Sequence, residues 1–340
     1  MAAERPIRLA LLGTGLFARD AHIPALNALQ DEFEIVAIYT RDPSSSSAAE
    51  AARLIPGEVA ITDDLDGLLA RDDIEAVDIV WPIHRLPEGI ERALTAGKHV
   101  ISEKPAAPSV AVGRHLLDVY AAHPDLVWMV AENWRYEAAY RQAADLIAEG
   151  AIGRLLTVDW VAHNDMSPQN RYYGTPWRRD NSFMGGFLLD GGVHQIAALR
   201  LVAGEIASVS AVVTQHRPDL PPADTLSAAL AFENGAVGTY AVTYASGSPW
   251  PASLRVVGDT GALRVHHGGI ELTGADVQTR QIEFDGRSGI QDQRAAFAAA
   301  IRRGEPHFNT PAEAVQDVAI IEAMLRSAET GQRVAPEKVV

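Results

Sequence analysis

The strongest constraint on this chain lies near its start, where the apolar run Ile7-Arg8-Leu9-Ala10-Leu11-Leu12 meets Gly13-Thr14-Gly15-Leu16-Phe17-Ala18. A short buried strand that turns at once into a helix through glycines belongs in a parallel sheet covered on both faces. There Gly13 makes the tight turn, Gly15 lets a ligand approach the backbone, and Ala18 lets the helix pack close to the strand. The exposed N–H groups of such a helix start suit a pyrophosphate. Gly13, Thr14, Gly15, Leu16 and Phe17 are therefore candidate dinucleotide contacts.

The pattern downstream agrees. Short apolar runs at residues 35–39, 76–80, 99–102 and 127–130 alternate with helical periodicity, as at Leu65, Leu68 and Leu69 or Ile90 and Leu94. A helix over residues 138–149 ends at Gly150, a left-handed cap. The character then changes. Runs at 155–161, 208–216, 226–232, 236–244, 253–257 and 263–266, with turns at Asn234-Gly235 and Asp259-Thr260-Gly261, predict an antiparallel meander. Helices over 291–303 and 311–330 close the chain. The expected fold is a doubly wound α/β Rossmann domain over residues 1–130. It is followed by an α+β domain over 131–340 with a large, mostly antiparallel, open-faced sheet, the closing helices being free to pack back on the first domain.

Composition removes several alternatives. A formal charge of −15 disfavours nucleic acid and anionic lipid as partners. The chain has no cysteine, which excludes disulfides, thiolate nucleophiles and Cys-ligated metals. No apolar stretch approaches the roughly 18 residues needed to cross a bilayer. The first apolar run passes directly into glycines and reads as a strand rather than a signal peptide. A soluble, cytoplasmic protein is expected.

The end of the second strand should choose the nucleotide. An NAD site places an acid there for the ribose hydroxyls, whereas this chain has Tyr39-Thr40-Arg41 followed by Asp42 and the serines Ser44 to Ser47. Thr40, Arg41 and Ser45 suit a 2′-phosphate, which favours NADP(H). The other reading, a solvated Arg41 with Asp42 on the ribose, leaves NAD(H) open.

Ala96-Gly97-Lys98-His99-Val100-Ile101-Ser102-Glu103-Lys104-Pro105, the Gly150-Ala151-Ile152-Gly153 junction and Gly185-Gly186-Phe187-Leu188-Leu189-Asp190-Gly191-Gly192-Val193-His194 carry a resemblance. With the closing Ser327-Ala328-Glu329-Thr330-Gly331, they make nearly the whole chain similar to the Gfo/Idh/MocA oxidoreductases. The Glu-Lys-Pro and Asp-x-x-x-His runs are far more specific than the glycine loop. The resemblance implies that Lys104 lies near the nicotinamide and the substrate hydroxyl, that Asp190 and His194 complete the catalytic group, and that the open sheet face forms a homodimer or homotetramer. The Thr-Arg pair looks like the family's NADP-preferring members. Pro82 and Glu103 join the expected cofactor contacts.

Those roles make physical sense. Pro105 should hold Lys104 extended after a buried strand, where a partly desolvated lysine beside a cationic nicotinamide exchanges a proton near neutrality. The alternative is a surface lysine paired with Glu103. Asp190 and His194, four apart on a helix, share a face and suit a general base with its orienting carboxylate; a surface ion pair is the plainer reading. No third ligand stands nearby, so no metal is expected. Asn133, Arg135 and Tyr136 follow the last Rossmann strand, facing the ligand crevice or packing between domains. The segment from Asn164 to Trp177, with Tyr172, Tyr173, Trp177 and then Arg178, reads as a substrate cover or an oligomer contact. Substrate contacts are thus expected from Lys104, Asn133, Arg135, Tyr136, Trp177, Asp190 and His194.

The chain departs from the family pattern at Ala197, where an Asp is usual, and at Leu86, where a His is common two positions beyond His84. These changes touch substrate contacts and leave Lys104, Asp190 and His194 in place. The function expected is hydride transfer between NADP(H) and a sugar, polyol or small carbonyl compound. The alternatives are an NAD-retaining glycosidase-type member of the family and a non-catalytic nucleotide-binding regulator.

Overall fold

The computed structural model describes residues 5–266, 268–274, 277–284 and 289–340. The chain divides into two compact units, one of residues 1–133 with 289–315, the other of residues 134–288 with 316–340.

The first unit is built on six strands: β1 (Ile7–Leu12), β2 (Phe33–Tyr39), β3 (Ala60–Thr62), β4 (Ala76–Ile79), β5 (His99–Ser102) and β6 (Trp128–Val130). All pair parallel, in the order β3-β2-β1-β4-β5-β6. The central strands are buried on both faces, which is why β1 and β4 read as continuous apolar runs rather than alternating ones. Strand order reverses between β1 and β4, so the crevice for a ligand opens beyond Leu12 and Ile79.

Five helices connect the strands: α1 (Ile23–Asn27), α2 (Ser46–Leu54), α3 (Leu65–Leu69), α4 (Leu86–Thr95) and α5 (Val110–Ala121). The helix expected straight after the glycine loop begins instead as a π-helical turn, Ala18–His22, that passes into α1. The short strand β3 escaped the sequence reading because its three residues are no more than half-buried and carry no hydrophobic period. Residues 289–315 belong to this unit, through a further helix, Ile290–Arg303. Its Phe297 ring stacks on Phe33 at 6.3 Å, and its Arg302 pairs with Glu75 at 3.0 Å.

In the second unit α6 (Ala138–Ala148), α7 (Phe187–Asp190) and α8 (Gly192–Ala203) accompany an eight-stranded sheet. The strands are β7 (Leu155–His163), β8 (Ile206–Thr214), β9 (Thr225–Phe232), β10 (Val237–Thr243), β11 (Ser253–Gly258), β12 (Gly261–His266), β13 (Gly269–Gly274) and β14 (Val277–Glu283). Their order is β14-β13-β12-β11-β7-β10-β9-β8. The expected meander is therefore corrected in one respect: β7 lies between β11 and β10 and runs parallel to β10, all other pairs being antiparallel. A helical crossover through α7 and α8 separates β7 from β8, which allows the parallel pair.

Alternation along β7, β9 and β11 buries Leu155, Val158, Trp160 and Ala162, Leu226, Ala228 and Leu230, and Leu254 and Val256. The opposite face carries Val161, Val212, Val237 and Val257, with Val212 69% and Val237 55% exposed. The helix Ile290–Arg303 is α9, and α10 (Pro311–Thr330) ends the helical part of the chain. Among the described residues no helix is long and apolar enough to cross a membrane.

Candidate active site

The nucleotide loop is shaped by steric exclusion. Gly13 has φ +119°, and a Cβ there would sit 2.6 Å from the Val80 carbonyl oxygen, so only glycine fits. Gly15 differs, because a Cβ on it would meet no protein atom within 4 Å. The chain's own packing does not demand that glycine, and the open space beside it fits a pyrophosphate against the backbone. Leu16 and Phe17 are half-buried at the start of the π-helical turn. Thr14 is buried, its Oγ1 3.1 Å from the Ser47 hydroxyl.

Ser45 caps α2, accepting from the Ala48 N–H at 3.3 Å, and also meets Ser47 at 3.2 Å. Thr40 is half-buried and Arg41 exposed at the end of β2. The Asp42 carboxylate is turned into its own loop, where Oδ1 accepts from the Ser44 N–H at 3.0 Å and the Ser44 hydroxyl at 2.6 Å. Beyond β4, Trp81 and Pro82 are half-buried. Trp81 lies 5.7 Å from the Tyr39 ring and fills the space above Gly89, where a Cβ would approach it to 2.6 Å. Nothing in the spacing marked Trp81, and Ser47 stood out only as the last of the serine run; the places of both follow from the sheet order, which puts the ends of β1, β2 and β4 side by side.

Glu103 and Lys104 leave the end of β5, Glu103 buried and Lys104 half-buried. The Lys104–Pro105 peptide is cis, a feature the extended geometry expected from sequence does not contain. Glu103 reaches inward to His22, whose Nε2 lies 2.8 Å from Glu103 Oε1 and whose Nδ1 lies 2.8 Å from Asp78 Oδ2. Arg294 of α9 stands 3.5 Å from the same Asp78 carboxylate. Burial opposes the charge on His22, as does Arg294, but the two carboxylates prevail and hold the imidazole above its ordinary value. Burial likewise pushes Asp78 up, and His22 and Arg294 pull it below the usual carboxylate range.

In the second unit, the single helix expected to carry Asp190 and His194 is two helices that abut at Gly191. A Cβ on Gly191 would collide with the Tyr244 hydroxyl, and one on Gly192 would press on Ile321 at 3.0 Å. Asp190 is buried and accepts from Arg178 Nε at 2.7 Å. That guanidinium lies 4.1 Å over Trp177 and 5.2 Å over Tyr172, tying residues 172–178 to the catalytic candidate. The His194 ring stacks on Trp134 at 5.4 Å, and Trp134 in turn stacks on Tyr140 and Trp160. Burial, with Tyr240 and Asp190 nearby, pushes the Tyr244 phenol well up; its hydroxyl oxygen is enclosed without a hydrogen-bond partner.

The remaining sequence candidates separate. Asn133 is half-buried and Tyr136 buried. Arg135 is buried and donates to Asp317 at 2.8 Å, and Asp317 also accepts from Arg200 at 2.7 Å. Arg135 thus belongs to an internal ion network with Asp317 and Arg200. Trp177 is half-buried, 5.9 Å from Phe183. Among the described residues no group of three or more His, Asp or Glu side chains is arranged to hold a metal.

A classical six-stranded dinucleotide fold joined to an open-faced sheet domain defines a class of two-domain oxidoreductases. Residues 7–131 match the oxidoreductase family's NAD-binding Rossmann fold, and residues 144–335 its C-terminal alpha/beta domain. The chain belongs to the Gfo/Idh/MocA family.

Among solved structures, an oxidoreductase from Thermotoga maritima is 34% identical with a TM-score of 0.91, covering 97% of this chain and 98% of that one. A levoglucosan dehydrogenase in complex with NADH and levoglucosan is 26% identical with a TM-score of 0.87, over 98% of this chain and 100% of that one. A 3-ketoreductase from Actinomadura kijaniata in complex with NADP and TDP-benzene is 25% identical with a TM-score of 0.81, over 95% and 98%.

Proposed function

We propose that this protein is an NADP(H)-dependent oxidoreductase acting on a CH–OH or C=O carbon of a sugar, polyol or small carbonyl compound. The observation that carries the cofactor preference is the Asp42 carboxylate, engaged by Ser44 within its own turn. That leaves exposed Arg41 and the serine-rich start of α2, a cation beside a helix N-terminus, for a 2′-phosphate. Support for the substrate class comes from the levoglucosan dehydrogenase and the 3-ketoreductase among the similar structures.

The nicotinamide, when bound, supplies or accepts the hydride. In the oxidative direction His194 takes the proton of the reacting hydroxyl, and in the reductive direction it returns one to the carbonyl oxygen. Stacking on Trp134 fixes the plane of that imidazole. Asp190 compensates the imidazolium charge and is itself held by Arg178. Lys104 donates to the reacting oxygen and stabilises the charge that develops there. Self-association through the exposed valine face of the eight-stranded sheet completes the reading.

Titrating cofactor-free protein with NADPH and NADH, followed by nicotinamide fluorescence, tests it. NADPH should bind more tightly. Arg41→Ala should weaken NADPH by about 10-fold or more, the worth of a charge-assisted hydrogen bond, and leave NADH nearly unchanged. Equal losses for both nucleotides would remove the 2′-phosphate from Arg41.

A further inference from the structure

Two tyrosines, Tyr240 of β10 and Tyr244 just beyond it, reach the junction of α7 and α8. Tyr240 is fully buried, and its hydroxyl donates to Gln195 Oε1. Tyr244 is 4% exposed, and its hydroxyl has no hydrogen-bond partner among the described residues. That hydroxyl lies so close to the Gly191 backbone that any side chain there would collide with it. Asp190 is the adjacent residue. Burial above all, with Tyr240 and Asp190 nearby, pushes the Tyr244 phenol well up, so it stays a donor.

An enclosed hydroxyl with nothing to bond is destabilising, and a phenylalanine would fill the same space without that cost. Other contacts hold the residue in place. Its ring stacks on Phe187 at 5.6 Å, its N–H donates to the Asp224 carbonyl at 2.7 Å, and its carbonyl accepts from the Met166 N–H at 3.2 Å. A fixed donor beside a buried carboxylate points to a second arrangement, in which that carboxylate supplies the acceptor. Here Asp190 Oδ2 accepts from Arg178 Nε at 2.7 Å instead. The two donors differ in support. Tyr244 follows directly on a strand, whereas Arg178 ends a 3-10 turn, Pro176–Arg178, in a stretch between β7 and α7 that contains no strand or α-helix.

We infer that Tyr244 is a positioning residue: when residues 172–178 lift and carry Arg178 away, the buried Asp190 carboxylate turns to the Tyr244 hydroxyl and accepts a hydrogen bond from it. The carboxylate exchanges a cation on the covering segment for a neutral donor fixed to the sheet, and it is never left buried without a partner. The inference rests on the role given to Asp190 above and on residues 172–178 covering the substrate.

Urea unfolding of the full-length protein, with Tyr244→Phe placed in two backgrounds, tests it. With Arg178 present the hydroxyl bonds nothing, so Tyr244→Phe should leave the urea midpoint unchanged or raise it. With Arg178→Gln the carboxylate depends on Tyr244. The same change should then lower the folding constant by about 10-fold, the worth of a hydrogen bond to a charged group. A tyrosine with a merely structural role gives the same effect in both backgrounds, so a reversal of sign is the signature of coupling. Equal effects overturn the inference.

A second readout is spectroscopic. With 13C at Cζ of the eight tyrosines, the Tyr244 signal is assigned by its loss in Tyr244→Phe. It should move in Arg178→Gln as the phenol begins to donate, and an unmoved signal overturns the inference. Should Arg178→Gln fail to fold, Arg178→Lys takes its place, since a single ammonium does not reproduce the hold of a guanidinium. Failure of both to fold would mean that no second donor receives Asp190, which also overturns it. Neither measurement uses substrate or cofactor. Turnover that depends on Asp190 without the sign reversal would count against Tyr244 alone, and the reversal without any turnover would count against the proposed reaction alone.

Discussion

At the scale of single residues, the candidates are side chains whose neighbours limit what each can do. Lys104 leaves the end of β5 with its preceding carboxylate drawn inward, and Asp190 has its charge met by Arg178. Lys104→Ala should lower turnover by about 100-fold or more while NADPH affinity stays within about 3-fold, the pattern of a group acting mainly in the transition state. Steady-state kinetics beside a fluorescence titration measure both quantities, and unchanged turnover would take Lys104 out of the mechanism. Lys104, Asp190 and His194 were legible in the sequence because they sit in two specific runs. His22, Trp81 and Tyr244 were not, since each acquires its surroundings from segments far away in the chain; Arg178 was read as part of a covering segment, without its pairing to Asp190.

At the scale of elements, the break between α7 and α8 is the feature that sequence periodicity concealed. Gly191 and Gly192 look like helix interior in a chain with no proline nearby, but the buried Tyr244 hydroxyl occupies the space a side chain would need. Gly191→Ala should destabilise by about 1–3 kcal/mol, as overpacking does. Adding Tyr244→Phe, which removes the enclosed oxygen, should restore part of that loss. Thermal or urea unfolding of the two variants checks this, and a Gly191→Ala protein as stable as the wild type would mean the turn is not held by Tyr244.

The buried network of β4, β5 and α9 makes its own prediction about pH. The folded value of His22 is raised, so its stabilisation is fully present below the ordinary imidazole value of about 6.5 and is lost as pH rises through the folded value. The folded value of Asp78 is lowered, so its stabilisation is present above about 3.9 and is lost as pH falls through the folded value. Urea midpoints across pH should therefore decline on the alkaline side in the wild type and lose that decline in His22→Gln; parallel curves would contradict it.

At the scale of the whole molecule, the eight-stranded sheet has a face on which Val161, Val212, Val237 and Val257 are exposed. Register places Val212, Ser227, Ala241, Val161 and Ser253 in one row across five strands, all small or apolar residues. Burial of such a row by another copy is favourable at about 25 cal/mol per Å² of apolar surface. We expect Val212→Lys together with Val237→Lys to reduce the sedimenting mass at micromolar concentration. A wild-type protein that sediments as a monomer would remove the proposed self-association.

The parallel sheet, the glycine turn and the two runs that carry Lys104, Asp190 and His194 could be read from the order of residues alone. Continuous apolar strands, an obligatory glycine and short motifs are local properties, readable from neighbours in the chain. Tertiary structure decided what depends on distant partners. It inserted β7 beside β10, because a helical crossover can return the chain to any edge that leaves its strand buried. It assigned α9 to the first unit through Phe33, Glu75 and Asp78, although the chain reaches that helix only after the second sheet. It also turned Arg135 inward onto Asp317 and Asp42 onto Ser44. A charged side chain goes where its counter-charge and its desolvation balance, and that balance is set only when segments far apart in sequence come together.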